Sequence, residues 1–379
     1  MIRADEDRVA QEQWAAYETW QRSFFPTPDS VAYHYGTALE VLDPDVPWET
    51  VARQAAARTR EYFTPKNSKN ADVTRWRMTM YAPLYAANYC SNVCRYCGFR
   101  APEQIVRRHL TPDEAVDESY RIAALGFRHQ LLLTGEDPLR ATTEYLCGII
   151  RRIAERGRDP SVEIPPQSVE NYAALADAGT TGVTLYQETY DETLYADYHP
   201  HGPKSHYRWR FGAQERGLAG GLQRAGLGFL VGLAPPRAEL IAMLTHAMYL
   251  REKFPDRTLS FGLPRIREAP AGFTIPYPAS DELFCRMYAA LRIALPDAEL
   301  VISVREPAEL RNRLCEVCLT QISAGSRTSP GGYAPMDDEG EPSATEQFPV
   351  TDHRSPAEVA GWLRTHGFEV DFDDSVNGL

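Results

Sequence analysis

Three cysteines, Cys90, Cys94 and Cys97, stand at C-x3-C-x2-C spacing in the run Tyr85-Ala-Ala-Asn-Tyr-Cys-Ser-Asn-Val-Cys-Arg-Tyr-Cys-Gly-Phe99. Thiolates so spaced wrap one short loop around a cubic iron–sulfur cluster, ligating three irons and leaving the fourth open to a small-molecule ligand. The same residues could form a zinc knuckle or be buried thiols. A zinc site would want a further Cys or His close by, and none follows soon after Cys97. The context favours the cluster: an apolar-rich run over 78–85 reads as a strand, and the cysteine loop then leads towards a helix.

The elements that must position this loop follow an alternating pattern. Short apolar runs predict strands over 78–81, 129–134, 162–164, 183–187, 228–232, 259–263, 300–303 and 320–323. Helix-length segments separate them, over 111–125, 145–156, 168–179, 207–225, 237–253, 281–293 and 307–315. Thr111-Pro-Asp-Glu114 is a capping box with proline in the first turn, and Ser355-Pro-Ala-Glu358 opens a terminal helix in the same way. The fold class is therefore α/β: a parallel (β/α)8 barrel of TIM type with right-handed crossovers. Residues 1–75 read as a helical N-terminal extension, with helix over 38–42 and 51–62 and a loop at 66–71. Residues 76–325 form the barrel. Residues 326–379 form a loop-rich C-terminal segment that closes it, with an acidic run at 336–342.

Composition narrows the class of function. The chain has 379 residues, 43% of them hydrophobic, enough for a large core, and a net charge of −12 that disfavours nucleic acid or an anionic membrane as partner. The N-terminus is charged and lacks an apolar stretch, so no secretory signal is expected, and the longest apolar run, near 227–233, is too short to span a bilayer. Seven cysteines, three of them clustered, suit a reducing cytoplasm better than a disulfide framework.

In such a barrel the site gathers at the C-terminal ends of the strands. The polar residues expected there include Tyr85, Thr134-Gly135-Glu136, Gln187-Glu188, Arg265, Arg267, Ser303, Arg305, Glu306, Ser323 and Ser326. Arginines facing carboxylates beside a cluster suit zwitterionic ligands, because a guanidinium forks onto a carboxylate while a carboxylate accepts from an ammonium.

The cysteine loop resembles the signature of the radical S-adenosylmethionine (SAM) superfamily. The run 126–136 (Gly-Phe-Arg-His-Gln-Leu-Leu-Leu-Thr-Gly-Glu), Tyr186-Gln-Glu-Thr-Tyr190, Ser303-Val-Arg-Glu306, Pro330-Gly-Gly-Tyr-Ala334 and Gln347-Phe…Asp352-His-Arg-Ser-Pro356 resemble the 2-iminoacetate synthase (ThiH) branch. That branch cleaves the Cα–Cβ bond of tyrosine to 2-iminoacetate and p-cresol for thiazole and thiamine biosynthesis. Its relatives are the tyrosine lyase of hydrogenase maturation and a tryptophan lyase. The hydrogenase enzyme carries a further cysteine-rich C-terminal segment, and the absence of cysteine after Cys318 speaks against that member.

The resemblance implies a [4Fe-4S] cluster on Cys90, Cys94 and Cys97, with Tyr96 near the adenine of SAM. It implies that Gly135 and Glu136 hold the methionyl amine, and that Glu188 and Arg210 hold the ribose or carboxylate. Arg305 would clamp the substrate carboxylate, and Tyr85 and Ser323 would line the substrate site. Tyrosine is the favoured substrate, with tryptophan or another aromatic amino acid as the alternative. Flavodoxin or ferredoxin is the implied electron donor, and thiazole synthase a possible partner. The sequence departs from the branch at Thr134, where glycine is usual, and at Val304, where threonine is usual.

Plainer readings stand beside these. Gly135-Glu136 could be a strand-end turn, Gln187-Glu188 a solvated strand end, Tyr85 core and Arg210 a helix-surface charge. Arg265 and Arg267 could pair with acidic loops, and Arg305 with Glu306. Cys315-Glu-Val-Cys318 has the spacing of a redox or metal pair but reads as two buried thiols at a helix end, and Cys147 and Cys285 read as core.

Overall fold

The computed structural model describes residues 3–65, 73–269, 272–334 and 344–372. The expected loop at 66–71 and the acidic run at 336–342 lie outside the described residues.

Three helices precede the barrel: α1 (Ala4–Phe24), α2 (Pro28–Glu40) and α3 (Trp48–Phe63). In α1, Asp5, Glu6 and Asp7 sit in the first turn, where carboxylates oppose the positive end of the helix dipole. Trp14, Tyr17 and Trp20 recur at helical spacing, and Tyr17 packs on Phe211 and Tyr249 of the barrel's outer layer. Helix therefore begins far earlier than the expected 38–42, because α1 is held by an aromatic stripe within an otherwise polar sequence.

The barrel runs β1 (Arg77–Ala87), α4 (Pro112–Ala124), β2 (His129–Thr134), α5 (Thr143–Ala154), β3 (Asp159–Glu163), α6 (Val169–Asp177) and β4 (Gly182–Thr184). It continues through α7 (Glu192–Tyr198), α8 (Tyr207–Phe211), α9 (Ala213–Ala219), β5 (Arg224–Gly228), α10 (Pro236–Lys253), β6 (Thr258–Gly262), α11 (Asp281–Ala294), β7 (Glu299–Ile302), α12 (Ala308–Cys315) and β8 (Gln321–Ser323). All neighbouring strands are parallel, and β1 pairs with both β2 and β8, so the sheet closes. Along β1 the period-2 pattern divides the side chains: Met78, Met80, Ala82 and Leu84 lie in the core, whereas Tyr81, Pro83 and Tyr85 line the cavity inside the barrel. Both expected capping boxes form, on Thr111/Glu114 and Ser355/Glu358.

One stretch differs from the expected pattern. The single helix over 207–225 is two short helices meeting at Gly212, and β5 begins at Arg224, not at 228. Gly221, at φ +101°, turns the chain out of α9. The glycines of β5 disguise a strand. A Cβ at Gly228 would collide with the ring of Tyr186, which lies across β5 and β6 inside the barrel.

Beyond β8 the chain forms α13 (Pro356–Thr365) and β9 (Glu369–Asp371), a strand that pattern alone does not reveal. β9 pairs in parallel with Arg77–Thr79, the start of β1 that precedes its pairing with β2. The return path is anchored by the buried ion pair Arg311–Asp352, with Arg311 also donating to the Ser323 carbonyl and Arg354 bonded to Asp352 at 2.6 Å. This pins the segment after β8 so that Gln347 and Phe348 reach the barrel mouth.

At the opposite end, His129 Nδ1 meets Asp159 at 2.7 Å and Nε2 meets Asp371 at 3.0 Å, joining β2, β3 and β9. Burial alone would push this imidazolium down, but the two carboxylates outweigh it and hold His129 up at about 9. A raised histidine contributes stability that is full below its unfolded value near 6.5 and is lost as pH rises through about 9. Thermal melts should therefore show up to roughly 3 kcal/mol of stability lost between pH 7 and pH 10. A His129→Gln variant should melt lower at pH 7 and lack that alkaline component. Parallel alkaline curves for the two proteins would refute the clamp.

Candidate active site

The cysteines lie on the loop between β1 and α4. Backbone bonds tie this loop to other parts of the mouth: Ser91 N–H donates to Glu136 O at 3.0 Å, Val93 to His201 O at 3.1 Å and Arg95 to Tyr198 O at 3.1 Å. Arg107 braces it from below, its guanidinium donating to the carbonyls of Asn88, Phe99 and Arg100. The loop is thus shaped by hydrogen bonds before any ligand is considered.

Cys90, Cys94 and Cys97 line one cavity with Asn92, Gly135, Glu136, Glu188, Lys204 and Arg210. Among the described residues no three His, Cys, Asp or Glu side chains stand close enough together to hold a single metal ion. Three thiols lining one cavity are the donor set that a cubic iron–sulfur cluster takes. Burial pushes all three thiols up, Cys90 to about 11, so a metal binding here must displace their protons.

Gly135, at the end of β2, faces the loop so closely that a Cβ there would land on the Tyr89 carbonyl. Gly135→Ala should push the cysteine loop outward and cost about 1–3 kcal/mol. The expected reading is a lowered melting temperature together with reduced iron retention after reconstitution; wild-type values for both would show that the loop yields freely.

Beside the cysteines, the charges neutralise one another. Arg210 of α8 is buried and reaches Glu136 at 2.5 Å and Glu188 at 3.6 Å; Lys204 reaches Glu188 at 2.5 Å, and Asn92 donates to Glu136 at 2.8 Å. Burial alone would raise the Glu136 carboxyl, yet Arg210 and Lys204 outweigh it and hold it low. Glu188 is the non-glycine residue with positive φ, +72°, among the described residues, a strained backbone that turns its carboxylate towards Lys204 and Arg210. Tyr96 projects into the adjoining wider cavity with Cys97 and Lys204, its hydroxyl bonded to His199 at 2.8 Å.

Deeper inside the barrel is a second, smaller cavity of about 70 Å³. Tyr81, Tyr85, Tyr186, Glu163, Arg305 and Ser323 line it. Tyr85 donates from its hydroxyl to Gln347 at 2.5 Å. The Arg305 guanidinium lies 3.6 Å from the Phe348 ring centroid, and among the described residues it has no carboxylate partner. Glu306 points elsewhere: it pairs with Arg265, whose Nε lies at 3.1 Å, and with Arg267 at 2.8 Å.

The structure thus brings the expected residues into two connected groups. Cys90, Cys94, Cys97, Gly135, Glu136, Glu188 and Arg210 meet at one cavity, and Tyr85, Arg305 and Ser323 at the next. Arg265 and Arg267 are not free ligand clamps; Glu306 takes both. Arg210 is not a helix-surface charge but is buried at the centre of the network. Cys285, Cys315 and Cys318 are buried free thiols in the hydrophobic core. Glu163 and Lys204 are additions that motif reading missed. Glu163 ends β3, a short strand that carries no motif, and Lys204 stands in the Pro/Gly-rich loop after α7.

A closed parallel barrel with a three-cysteine loop at its mouth and two adjoining cavities suits an enzyme that binds a metal cluster beside a small-molecule site. Family models match at residues 84–233, the Radical SAM superfamily, and at 263–369, the Biotin and Thiamin Synthesis associated domain. The chain is 33% identical over 319 residues to 2-iminoacetate synthase of Salmonella typhimurium, covering 83% of each chain. It is 32% identical to that of Escherichia coli, over 86% of this chain and 82% of the other. Its structure is similar to that of the FeFe-hydrogenase maturase HydG from Carboxydothermus hydrogenoformans, with TM-score 0.77 and 30% identity, over 98% of this chain and 85% of that one. The chain belongs to the radical SAM superfamily, in the group that contains 2-iminoacetate synthase and HydG, and its cofactors are accordingly a [4Fe-4S] cluster and SAM. Among the described residues no helix is long and apolar enough to cross a membrane.

Proposed function

We propose that the protein is a lyase that cleaves the Cα–Cβ bond of tyrosine to 2-iminoacetate and p-cresol, supplying a thiazole precursor. The observation that carries this reading is the Arg305 guanidinium, which among the described residues has no carboxylate partner, in a tyrosine-lined cavity that adjoins the cysteine loop. When bound beside this cavity, the cluster and SAM would supply one-electron radical chemistry.

The chain's own residues have the following work. Cys90, Cys94 and Cys97 hold three irons, and Tyr96 packs by the adenine. Gly135 lets the loop close on β2, while Glu136, Glu188, Lys204 and Arg210 form a rigid polar wall for the methionyl and ribose groups. Arg305 forks onto the substrate carboxylate, with Ser323 and Tyr85 beside it, and so fixes the amino group relative to the cysteine-lined cavity. Phe348 and Gln347 cover the mouth and limit water access. An electron donor such as flavodoxin or ferredoxin completes the system.

The test is anaerobic reconstitution with iron and sulfide, followed by dithionite, SAM and tyrosine, with mass spectrometry for 5′-deoxyadenosine and p-cresol. Both products support the reading. Deoxyadenosine without p-cresol overturns the choice of tyrosine, and parallel incubations with tryptophan and other aromatic amino acids then identify the substrate.

A further inference from the structure

Most of the charges at the barrel mouth are paired among the described residues. Glu136 is bonded to Arg210 and Asn92, Glu188 to Lys204 and Arg210, and Glu306 to Arg265 and Arg267. Glu268 and Glu346 are exposed on the rim. Two charged groups remain. Arg305 has only the Phe348 ring, and Glu163 has no hydrogen-bond or ion-pair partner among the described residues. Both side chains face the same cavity from β3 and β7, strands on different sides of the barrel. They are too far apart to form an ion pair with each other, yet near enough that Arg305 draws on the charge of Glu163. A cation and an anion held apart across an open cavity are complementary to a zwitterion placed between them.

We propose that Glu163 is the residue that recognises the substrate α-ammonium, forming with Arg305 a two-point clamp for the head group of an α-amino acid. This rests on the proposed function, and it adds the group that would discriminate amino acids from carboxylic acids of the same shape. The groups facing Glu163 are Glu188 from the end of β4, Arg305 from β7, Arg210 from α8, Lys204 from the loop before α8, and the phenols Tyr81, Tyr85 and Tyr186. Burial, with Glu188 adding to it, pushes its carboxyl up to about 7 against the pull of the three cations. A carboxylate so disfavoured gains most from an incoming ammonium, which restores the missing counter-charge.

The experiment uses the cluster-loaded enzyme with SAM but without reductant, so that ligands bind and do not turn over. Three probes are compared by equilibrium dialysis: tyrosine, 3-(4-hydroxyphenyl)propanoate, which lacks the amine, and tyramine, which lacks the carboxylate. Wild type should prefer tyrosine over the propanoate by about 10-fold or more, the scale of one charge-assisted hydrogen bond. Glu163→Gln should bring the two to within about 3-fold, and Glu163→Asp should restore part of the preference. SAM affinity and iron content should stay at wild-type values, which separates recognition from misfolding. A Gln variant that keeps the full preference, or one that loses SAM affinity while tyrosine preference persists, overturns the assignment while leaving the lyase reading intact. A wild-type enzyme that neither binds nor cleaves any aromatic amino acid overturns both.

Discussion

Replacing Arg305 by alanine is expected to reduce p-cresol formation by about 10²–10³ in kcat/KM, equivalent to about 3–4 kcal/mol of lost transition-state stabilisation. The reason is geometric. Among the described residues the guanidinium has no carboxylate of its own, because Glu306 is taken by Arg265 and Arg267, and it faces the cavity shared by Tyr85 and Ser323. An unpaired arginine there would hold the substrate carboxylate in place, and without it the amino group is no longer fixed near the reacting centre. The cysteine loop does not depend on Arg305, since its bonds run to Glu136, His201 and Tyr198. Iron content and slow uncoupled formation of 5′-deoxyadenosine should therefore survive. The measurement is p-cresol and deoxyadenosine by mass spectrometry on iron-matched samples. Near-normal p-cresol would refute the carboxylate clamp.

Replacing Cys94 by alanine should have the larger effect. Cys94 is buried at the centre of the loop and contributes one of three thiols facing the cavity. Two thiolates cannot hold three irons, and the described lining offers no other cysteine or histidine to take the place of the third. Iron after reconstitution should fall from roughly four per chain to a small residue, the visible absorbance should vanish, and both products should drop to background. The folded barrel should persist, because the thiol belongs to a small cluster with Tyr96, Tyr198, Leu230, Leu233 and Ile266 apart from the main core. Retained deoxyadenosine production would mean that a different residue ligates the third iron.

Much of this molecule is legible along the chain. β2 coincides with the expected 129–134, and β6, β7 and β8 fall within one residue of expectation, because each is a short apolar run bounded by strong helix signals. α1 and β9 are not legible. One is polar in composition and is held by aromatic side chains packing on distant helices, and the other is three residues paired to the start of the first strand, 292 residues away along the chain. β5 lies ahead of the expected 228–232 because its glycines, Gly226 and Gly228, carry no apolar side chain that marks where the strand begins. Their meaning depends on Thr184 and Tyr186, which the fold lays against them.

The same division runs through the site. Local spacing within one loop determines where three thiols stand, so the cysteine ligands and their chemistry are readable from eight consecutive residues. The capping boxes are equally local, as is the placing of polar groups at strand ends. Pairing among charges is not local. Arg265, Arg267, Arg305 and Glu306 are all ligand candidates in a linear reading, which passes over Glu163, and only the closed barrel sorts them. It places Glu306 against two arginines and leaves Arg305 and Glu163 facing the cavity without an ion-pair partner among the described residues. Coulomb interaction depends on distance through space and on burial, and neither is encoded in the separation of residues along the chain.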